Sequence, residues 1–258
     1  MSDSELLVGL VPAAGRGSRL APFPCPKELF PIGYQDYMVG GKMERRPKVV
    51  SQYLVENMIR AGARQLYLIL GDGKADIMTY YGDGSRFGVD VAYLFQERLT
   101  GMPGALTIAA PWTEQATVVF GMPDTIMEPH DLFTRLLERH RRAGADVTLG
   151  LFQTDNPSKF GMVELDAAGR VTNTIDKPQE SALEWMWGCA CWSPAFTRIM
   201  REYLADRPTA DREAVLGDVF NHALGQGLHI EGCAFPDGRY MDIGTAAELD
   251  SALRRFHL

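Results

Sequence analysis

The stretch LLVGLVPAAGRGSRL, residues 6–20, decides how the rest of the sequence is interpreted. Its opening run, residues 6–11, is mostly apolar and of the kind that forms a buried strand. Glycines placed directly after such a strand leave backbone N–H groups free to face an anion. Arg19 adds a planar guanidinium that matches the geometry of phosphate. The stretch therefore predicts a phosphate-binding loop after the first strand.

Other interpretations of the glycine pair Gly15 and Gly17 compete with this one. A dinucleotide fingerprint needs a third small residue, but Gly17 is followed by Ser18, Arg19 and Leu20. A Walker loop needs Gly-Lys-Ser/Thr, which does not follow either. A plain tight turn without a ligand remains the structural alternative, because two spaced glycines alone are weak support for binding.

Beyond this loop, apolar runs alternate with segments of helical period. The predicted strands of the N-terminal half are 66–70, 89–95, 117–120 and 147–152. The predicted helices between them are 49–61, 105–110 and 130–143, with Gly62 and Gly144 as end signals. In the C-terminal half, strands are predicted at 161–165, 170–175 and 187–192, and helices at 213–224 and 246–256. The alternation predicts an α/β fold with a largely parallel sheet.

The segment 33–48 has no regular period and is unusually basic. Its cations are Lys42, Arg45, Arg46 and Lys48. Long irregular stretches inside compact domains are often functional. We expect a mobile loop that borders the phosphate site and attracts an anionic substrate or the acidic face of a neighbouring subunit. A solvated excursion without function is the alternative.

The overall composition narrows the classes of function. The chain has 258 residues, of which 46% are hydrophobic and 23% charged, as in an ordinary globular protein. Its net charge of −7 repels a phosphate backbone, so no nucleic-acid partner is expected. No apolar run approaches the roughly 18 residues of a membrane span, so no membrane association is expected.

The cysteines and the N-terminus bear on the compartment. Cys189 and Cys191 lack the Cys-x-x-Cys spacing of a zinc site, so the four cysteines are expected to be reduced thiols. The acidic start of the chain does not fit a secretory leader. Together these features predict a cytoplasmic location.

A second motif, Pro26-Lys-Glu-Leu-Phe-Pro-Ile32, follows the glycine loop at short range. The two motifs together resemble the opening signature of the sugar-1-phosphate nucleotidylyltransferases, most closely the glucose-1-phosphate thymidylyltransferase and uridylyltransferase group. Weaker similarities follow in the family's order along nearly the whole chain, at 82–88, 124–131, 160–164, 176–178 and 241–245.

The resemblance implies a fold and a domain organisation. The expected fold is a Rossmann-like, three-layer α/β nucleotidyltransferase (glycosyltransferase-A-like) with a mixed, mostly parallel central sheet. The whole chain, 1–258, would form a single nucleotidyltransferase domain. Within it, residues 1–150 would mainly bind the nucleotide, and residues 151–258 would mainly bind the sugar phosphate.

The resemblance also implies roles for individual residues. The nucleotide would be bound by Ala14, Gly15, Gly17, Ser18, Arg19, Gln96 and Gly101. The sugar phosphate would be bound by Gly161, Glu164, Asp176, Lys177 and Gly188. Mg²⁺ would be bound by Asp124 and Asp242, and the catalytic set would be Arg19, Lys27, Asp124, Lys177 and Asp242.

The implied reaction explains these residue types. An oxygen of a sugar-1-phosphate attacks the α-phosphorus of a nucleoside triphosphate, with dTTP or UTP favoured, and pyrophosphate leaves. The nucleophile is already anionic, so the reaction needs relief of charge repulsion and in-line placement but no general base. Cationic side chains and a Mg²⁺ ion on carboxylate oxygens supply both. By the same resemblance, a homo-oligomer is expected.

Departures from the family pattern keep other interpretations open. The family's Gly-Asp-Asn is replaced by Met122-Pro-Asp-Thr125, and Asp176 replaces a glutamate. A non-catalytic relative that binds a nucleotide or sugar phosphate as a regulatory or assembly subunit is therefore the second hypothesis. A nicotinamide-dependent oxidoreductase is the third, disfavoured by the missing third glycine. Structurally, Lys27 could be a plain surface lysine, Asp124 a helix N-cap and Asp242 a turn residue.

Overall fold

The computed structural model of the protein describes residues 6–206 and 213–256. The acidic residues 1–5, on which the expectation of no secretory leader rests, lie outside the described residues. The strands are β1 (Leu7–Ala13), β2 (Pro31–Val39), β3 (Lys42–Val49), β4 (Gln65–Leu70), β5 (Asp90–Phe95), β6 (Thr117–Gly121), β7 (Thr125–Glu128), β8 (Val147–Gln153), β9 (Gly161–Leu165), β10 (Val171–Asp176), β11 (Trp185–Trp192), β12 (Ile230–Ala234) and β13 (Arg239–Asp242). The helices are α1 (Val50–Arg60), α2 (Ala75–Tyr81), α3 (Gly101–Thr107), α4 (Ala110–Thr113), α5 (Leu132–Ala143), α6 (Pro194–Ala205), α7 (Leu216–Gly225) and α8 (Ala246–Arg255).

A nine-stranded mixed sheet forms the centre of the fold. Seven strands follow the order β10-β9-β11-β6-β1-β4-β5, and β8 lies between β11 and β12. The strands β6, β1, β4 and β5 run parallel to one another, whereas β11 is antiparallel to β6, β8 and β9. The predicted α/β class with a mixed sheet and a parallel core is confirmed.

The register of the parallel strands aligns their carboxyl ends at one edge. Ala13 lies opposite Leu70, and Leu70 lies opposite Phe95. The residues that follow these three positions therefore leave the sheet side by side. In open α/β sheets this edge is where ligands bind, because the loops there are free of the sheet's hydrogen bonds.

Helices cover both faces of the sheet because the strands alternate their apolar residues. On β1, Leu7 and Val11 point to the core under α1, α2 and α5, while Val8 and Leu10 point to the core under α3, α6 and α7. All four side chains are at most 9% exposed. The fold therefore has the three expected layers.

A smaller apolar cluster lies apart from these two cores. Ile32, Tyr53, Ile126, Ile243 and Ala252 pack together, and all are buried. They come from β2, α1, β7, the residue directly after β13, and α8. The cluster fixes the position of the β7–β13 ribbon, on whose ends Asp124 and Asp242 lie.

The predicted elements are largely present, with differences at their ends. The last predicted helices become α7, which begins at Leu216, and α8. The short elements β7, β12 and β13 and the helices α2 and α6 were not predicted. The three strands have four or five residues each, which leaves too few alternations for a clear period.

The expectation of an irregular loop at 33–48 is wrong, because the segment is a regular hairpin. β2 and β3 pair antiparallel around the two-residue turn Gly40-Gly41, whose φ values are both positive. A Gly-Gly turn between two extended runs is itself a hairpin signal that the sequence carried. No residue of 33–48 lines the cavities described below.

Hydrogen bonds tie this hairpin to the helices behind it. The side-chain amides of Gln35 and the buried Gln52 bond to each other, and the Tyr80 hydroxyl donates to Gln52 Oε1 at 2.7 Å. The Arg86 guanidinium lies over the Tyr37 ring at 6.0 Å. The hairpin is therefore anchored to α1 and to the segment around α2.

No helix within residues 6–206 and 213–256 has the length and apolar character that crossing a bilayer requires.

Two glycines of the hairpin region test its packing. Gly33 and Gly41 share a φ of +82°, but a Cβ on Gly33 would lie 2.5 Å from the Tyr53 hydroxyl, whereas Gly41 faces open space. We expect Gly41→Ala to cost about 1–2 kcal/mol of unfolding free energy through the left-handed backbone alone. Gly33→Ala should cost about 1–3 kcal/mol more, because Tyr53 must move. Urea denaturation measures both, and equal losses would contradict the packing described.

Candidate active site

Three adjoining cavities open at the carboxyl edge of the parallel strands. Cavity I, of about 420 Å³, lies between the glycine loop after β1 and the loop Gly71–Lys74 after β4. Cavity II, of about 180 Å³, lies between the glycine loop, Gln96 and the start of α3. Cavity III, of about 390 Å³, lies between Asp124, Asp242 and the loops flanking β9 and β10. Lys27 lines all three, so they form one continuous site around this side chain.

The glycine loop leaves the sheet immediately after Ala13. It turns back through hydrogen bonds from Leu20 N to the Gly17 carbonyl at 3.0 Å and from Ala21 N to the Ser18 carbonyl at 3.3 Å. Gly17 has a φ of +66°, and a Cβ there would meet Lys27 Cδ at 3.7 Å. The loop therefore approaches the lysine closely, as the paired motifs suggested.

Lys27 is held by Asp124 across the floor of the site. Its Nζ donates to Asp124 Oδ2, and the two side chains are only 15% and 6% exposed. Burial acts to lower the pKa of Lys27, but the carboxylates of Asp124, Glu28 and Asp242 together outweigh it and the pKa is raised. Asp124 lines cavities II and III, so Pro123 does not turn its carboxylate away from the site.

Asp242 reaches the same place through the β7–β13 ribbon. It lies opposite Thr125 in the ladder, and Ile243 N donates to the Asp124 carbonyl at 3.1 Å. Gly244 N donates to Asp242 Oδ1 at 2.8 Å. Burial raises the pKa of Asp242 to about 6, and the nearby Asp124 carboxylate adds to the rise.

Arg19 and Lys177 complete the charged wall of cavity III. A Cβ on Gly244 would lie 2.8 Å from an Arg19 guanidinium nitrogen, so the guanidinium packs directly on this backbone. Lys177 has a φ of +46° and is the one non-glycine residue with positive φ in the described ranges. Its N–H donates to the Phe160 carbonyl at 3.0 Å. Neither cation forms an ion pair within 4.0 Å in the described stretches of the chain, although Arg19 interacts electrostatically with the Glu248 carboxylate across the cavity.

Cavity II contains an unsatisfied polar group. Gln96 is 5% exposed, and its Nε2 has no hydrogen-bond partner among the described residues. Gly101 lies opposite, with a φ of +85°, and a Cβ there would collide with the Ala214 carbonyl at 2.3 Å. Ala14 and Gly15 line the same cavity. Because a buried unpaired N–H₂ is costly, this cavity is suited to a ligand that offers an acceptor.

Several residues named from the resemblance do not reach a cavity wall. Ser18 is exposed within the glycine loop, and Glu164 and Asp176 are exposed on β9 and β10. Gly161 is packed against Trp187, where a Cβ would lie 2.2 Å from the indole nitrogen. Gly188 leaves room for the Tyr240 ring, which does line cavity III.

Other lining residues were missed at the sequence level. Glu248 accepts a hydrogen bond from Lys159 Nζ at 2.8 Å and another from the Thr245 hydroxyl at 2.8 Å. Both Lys159 and Glu248 line cavity III. The spacing Thr245-x-x-Glu248 is a capping-box signal that could have marked the start of α8. Lys159 carries no comparable signal, because its loop position is fixed only by the tertiary fold.

The residues present fit a hard divalent cation. Asp124 and Asp242 offer carboxylate oxygens in one corner of cavity III, and the pKa of Asp242 is raised by burial and by the neighbouring Asp124 carboxylate. No three His, Cys, Asp or Glu side chains of the described residues converge as a ligand set. Mg²⁺ suits such a sparse site, because it keeps several waters and shares oxygens of bound phosphates.

Comparison of the sequence with known protein families identifies the family of this chain. Residues 8–256 match the nucleotidyl transferase family, and the chain belongs to it.

Similar curated proteins carry related names. The chain is 28% identical to a glucose-1-phosphate thymidylyltransferase of Streptomyces antibioticus, over 93% of this chain and 63% of that protein. It is 26% identical to the low-salt glycan biosynthesis nucleotidyltransferase Agl11 of Haloferax volcanii, with the same coverages. It therefore spans less than two thirds of these two relatives. It is also 26% identical to the UTP–glucose-1-phosphate uridylyltransferase AglF of Haloferax volcanii, with 95% of each chain covered.

Solved structures support the fold. A UDP-glucose pyrophosphorylase in complex with UDP-glucose superposes with a TM-score of 0.80 at 17% identity, covering 98% of both chains. A candidate glucose-1-phosphate thymidylyltransferase from Bacillus anthracis, in complex with a sucrose, superposes with a TM-score of 0.82 at 20% identity, covering 97% of this chain and 95% of that one. At these identities the likeness establishes the shared nucleotidyltransferase architecture.

The raised pKa of Asp242 predicts a pH-dependent stability. Because its folded pKa of about 6 lies above the ordinary 3.8, ionisation of Asp242 opposes folding, and this penalty grows as pH rises between these two values. We expect Asp242→Asn to be more stable than the parent at pH 7 by about 2–3 kcal/mol, and the difference to vanish near pH 4. Urea denaturation without divalent cations measures it.

A control of opposite sign is available at Asp166. The Arg170 backbone N–H holds the pKa of this exposed carboxyl below its usual range, so its ionised form favours folding. Asp166→Asn should therefore be less stable than the parent at pH 7, and the difference should shrink as pH falls, because the parent then loses the contribution of its ionised carboxylate. A pH-independent difference between Asp242→Asn and the parent would contradict the described environment of Asp242.

Proposed function

We propose that the protein transfers a nucleotidyl group from a nucleoside triphosphate to a sugar-1-phosphate, in a Mg²⁺-dependent reaction that releases pyrophosphate and forms a nucleoside diphosphate sugar. The observation that carries this proposal is the convergence of Arg19, Lys27, Asp124, Lys177 and Asp242 on the wall of cavity III. These residues come from well-separated segments of the chain, and each has a charge that the reaction requires.

The glycine loop and cavity II are the proposed binding site of the triphosphate. Backbone N–H groups of the loop face the phosphates, and Arg19 adds a guanidinium for their outer oxygens. The unpaired Gln96 amide donates to an acceptor on the base. We favour dTTP or UTP, which is supported by relatives that are named thymidylyltransferase and uridylyltransferase.

The acceptor is proposed to enter cavity III with its phosphate on Lys177. Its side chain lines cavity III and has no carboxylate partner among the ion pairs of the described ranges. The acceptor oxygen then approaches the α-phosphorus in line with the departing pyrophosphate, while Lys27 binds a non-bridging oxygen of the α-phosphate. Holding both anions in line lowers the barrier without any proton transfer to the nucleophile.

Two sources would compensate the negative charge where the phosphates of the two substrates meet. Lys27 exchanges its contact with Asp124 for a contact with a phosphate oxygen. The negative charge of the phosphate keeps the lysine charged in a water-poor site. Mg²⁺ bound at Asp124 and Asp242 would supply further positive charge beside the phosphates. Asp124 and Asp242 would then hold the ion, and their negative charges would no longer repel the substrates.

Pyrophosphate release tests the proposal over a matrix of nucleoside triphosphates and sugar-1-phosphates. We expect Arg19→Ala and Lys27→Ala each to lower kcat/KM roughly 10- to 100-fold, because each removes a charge-assisted contact of about 1.5–3 kcal/mol. Lys42→Ala is the matched control, since Lys42 is an exposed cation on the hairpin away from the cavities. Equal activity of the control and both site variants would contradict the assignment.

Asp124→Asn and Asp242→Asn separate catalysis from binding. Each should abolish Mg²⁺-dependent turnover while the circular dichroism spectrum is retained.

If the parent protein binds a nucleotide by calorimetry but releases no pyrophosphate with any pair of substrates, the non-catalytic binding subunit takes the place of the enzyme. A homo-oligomeric state and a cytoplasmic location remain predictions of the sequence.

A further inference from the structure

Beneath the site lies a buried ion pair that the proposed reaction does not use. Lys74 Nζ donates to Glu28 Oε2 at 2.7 Å, and the two side chains are only 6% and 2% exposed. Glu28 lines cavity II and Lys74 lines cavity I, so the pair lies in the wall between them. Neither residue belongs to the sets named from the sequence.

The pair connects the segment that carries Lys27 to the rest of the sheet edge. Lys27 and Glu28 are consecutive residues of a 3-10 turn, Lys27–Leu29. Lys27 contacts Asp124, whereas Glu28 contacts Lys74 in the loop between β4 and α2. One turn is therefore held from two sides by two ion pairs.

The loop that carries Lys74 is itself fixed against the glycine loop. A Cβ on Gly71 would lie 2.8 Å from the Ala14 carbonyl, so the two loops touch backbone to backbone. Lys74 also precedes α2 directly. The Glu28 carboxylate is therefore anchored to a rigid portion of the sheet edge and not to a free surface lysine.

Stability alone does not explain this pair. Taking two charges out of water costs several kcal/mol per ion, and apolar residues of similar volume often stabilise a fold equally well. What an ion pair adds over an apolar contact is direction, because a charge-assisted hydrogen bond fixes both partners in orientation.

We propose that Glu28 and Lys74 are positioning residues that hold the Lys27–Leu29 turn in place when a phosphate takes Lys27 away from Asp124. The inference rests on the proposed role of Lys27 as a phosphate ligand. Once Lys27 exchanges partners, the Asp124 contact no longer anchors the turn. The Glu28–Lys74 pair then remains as its second anchor and keeps Lys27 aligned with the reacting phosphorus.

Steady-state kinetics of three variants test the proposal. Glu28→Gln and Lys74→Met should each lower kcat roughly 10- to 100-fold with a smaller change in KM for the triphosphate, since a misplaced Lys27 costs alignment more than binding. The apolar pair Glu28→Leu/Lys74→Met should regain the melting temperature but not kcat. Recovery of kcat together with the melting temperature would show a merely structural role and overturn the proposal.

The same variants distinguish positioning from direct phosphate binding by Lys74. A direct contact predicts that Lys74→Met raises KM for the triphosphate strongly while Glu28→Gln does not. That outcome would also overturn the proposal. Equal effects of both single variants, mainly on kcat, support it.

Amide hydrogen exchange gives a readout that does not depend on activity. Leu29 N donates to the Pro26 carbonyl at 2.9 Å and Phe30 N to the Lys27 carbonyl at 3.1 Å, so these amides report on the turn. In an Asp124→Ala background, where Lys27 has lost its other anchor, each single variant and the apolar pair should exchange these amides at least about tenfold faster than Asp124→Ala alone. Unchanged exchange would overturn the proposal even if the parent enzyme were inactive with every substrate pair.

A control is the ion pair of Arg139 with Glu231, whose side chains are 37% and 4% exposed and whose carboxylate also contacts His229. It joins α5 to β12 and lines none of the three cavities. Arg139→Met should lower the melting temperature but leave kcat and the exchange of Leu29 and Phe30 unchanged. An equal loss of kcat in this control would show that any buried charge has this effect, and would overturn the proposal.

Discussion

The antiparallel pairing of β7 with β13 is the contact on which the whole site depends. It places Asp242, from near the end of the chain, beside Asp124, which closely follows a central strand. The ribbon is held by its own apolar cluster with β2, α1 and α8. Without it, cavity III would lose one wall, and the second carboxylate would have no fixed place relative to the glycine loop.

The site holds two neighbouring carboxylates, whose mutual repulsion is partly offset by the ammonium group of Lys27. Two carboxylates share a buried corner, which raises the pKa of Asp242, while Lys27 compensates Asp124. Such an arrangement costs free energy in the absence of ligand, as functional sites commonly do. The large apolar cores on the two faces of the sheet make this local cost tolerable.

Much of the parallel half could be predicted because each signal there is local. The run before Gly15 has the pattern of a buried strand, and Pro26-Lys27 lies within reach of the same loop along the chain. The hairpin was misjudged although Gly40-Gly41 signalled it, because exposed residues on both strands obscure the period of two. Lys74 and Lys159 could not be predicted from any local signal, since only tertiary contacts bring them to the cavities.

The backbone at Lys177 has a consequence for how this sequence can change over time. A lysine at a φ of +46° is less stable there than a glycine, by about 1 kcal/mol. Replacing the lysine with glycine would stabilise the backbone at that position, but it would remove an ammonium group from the wall of cavity III.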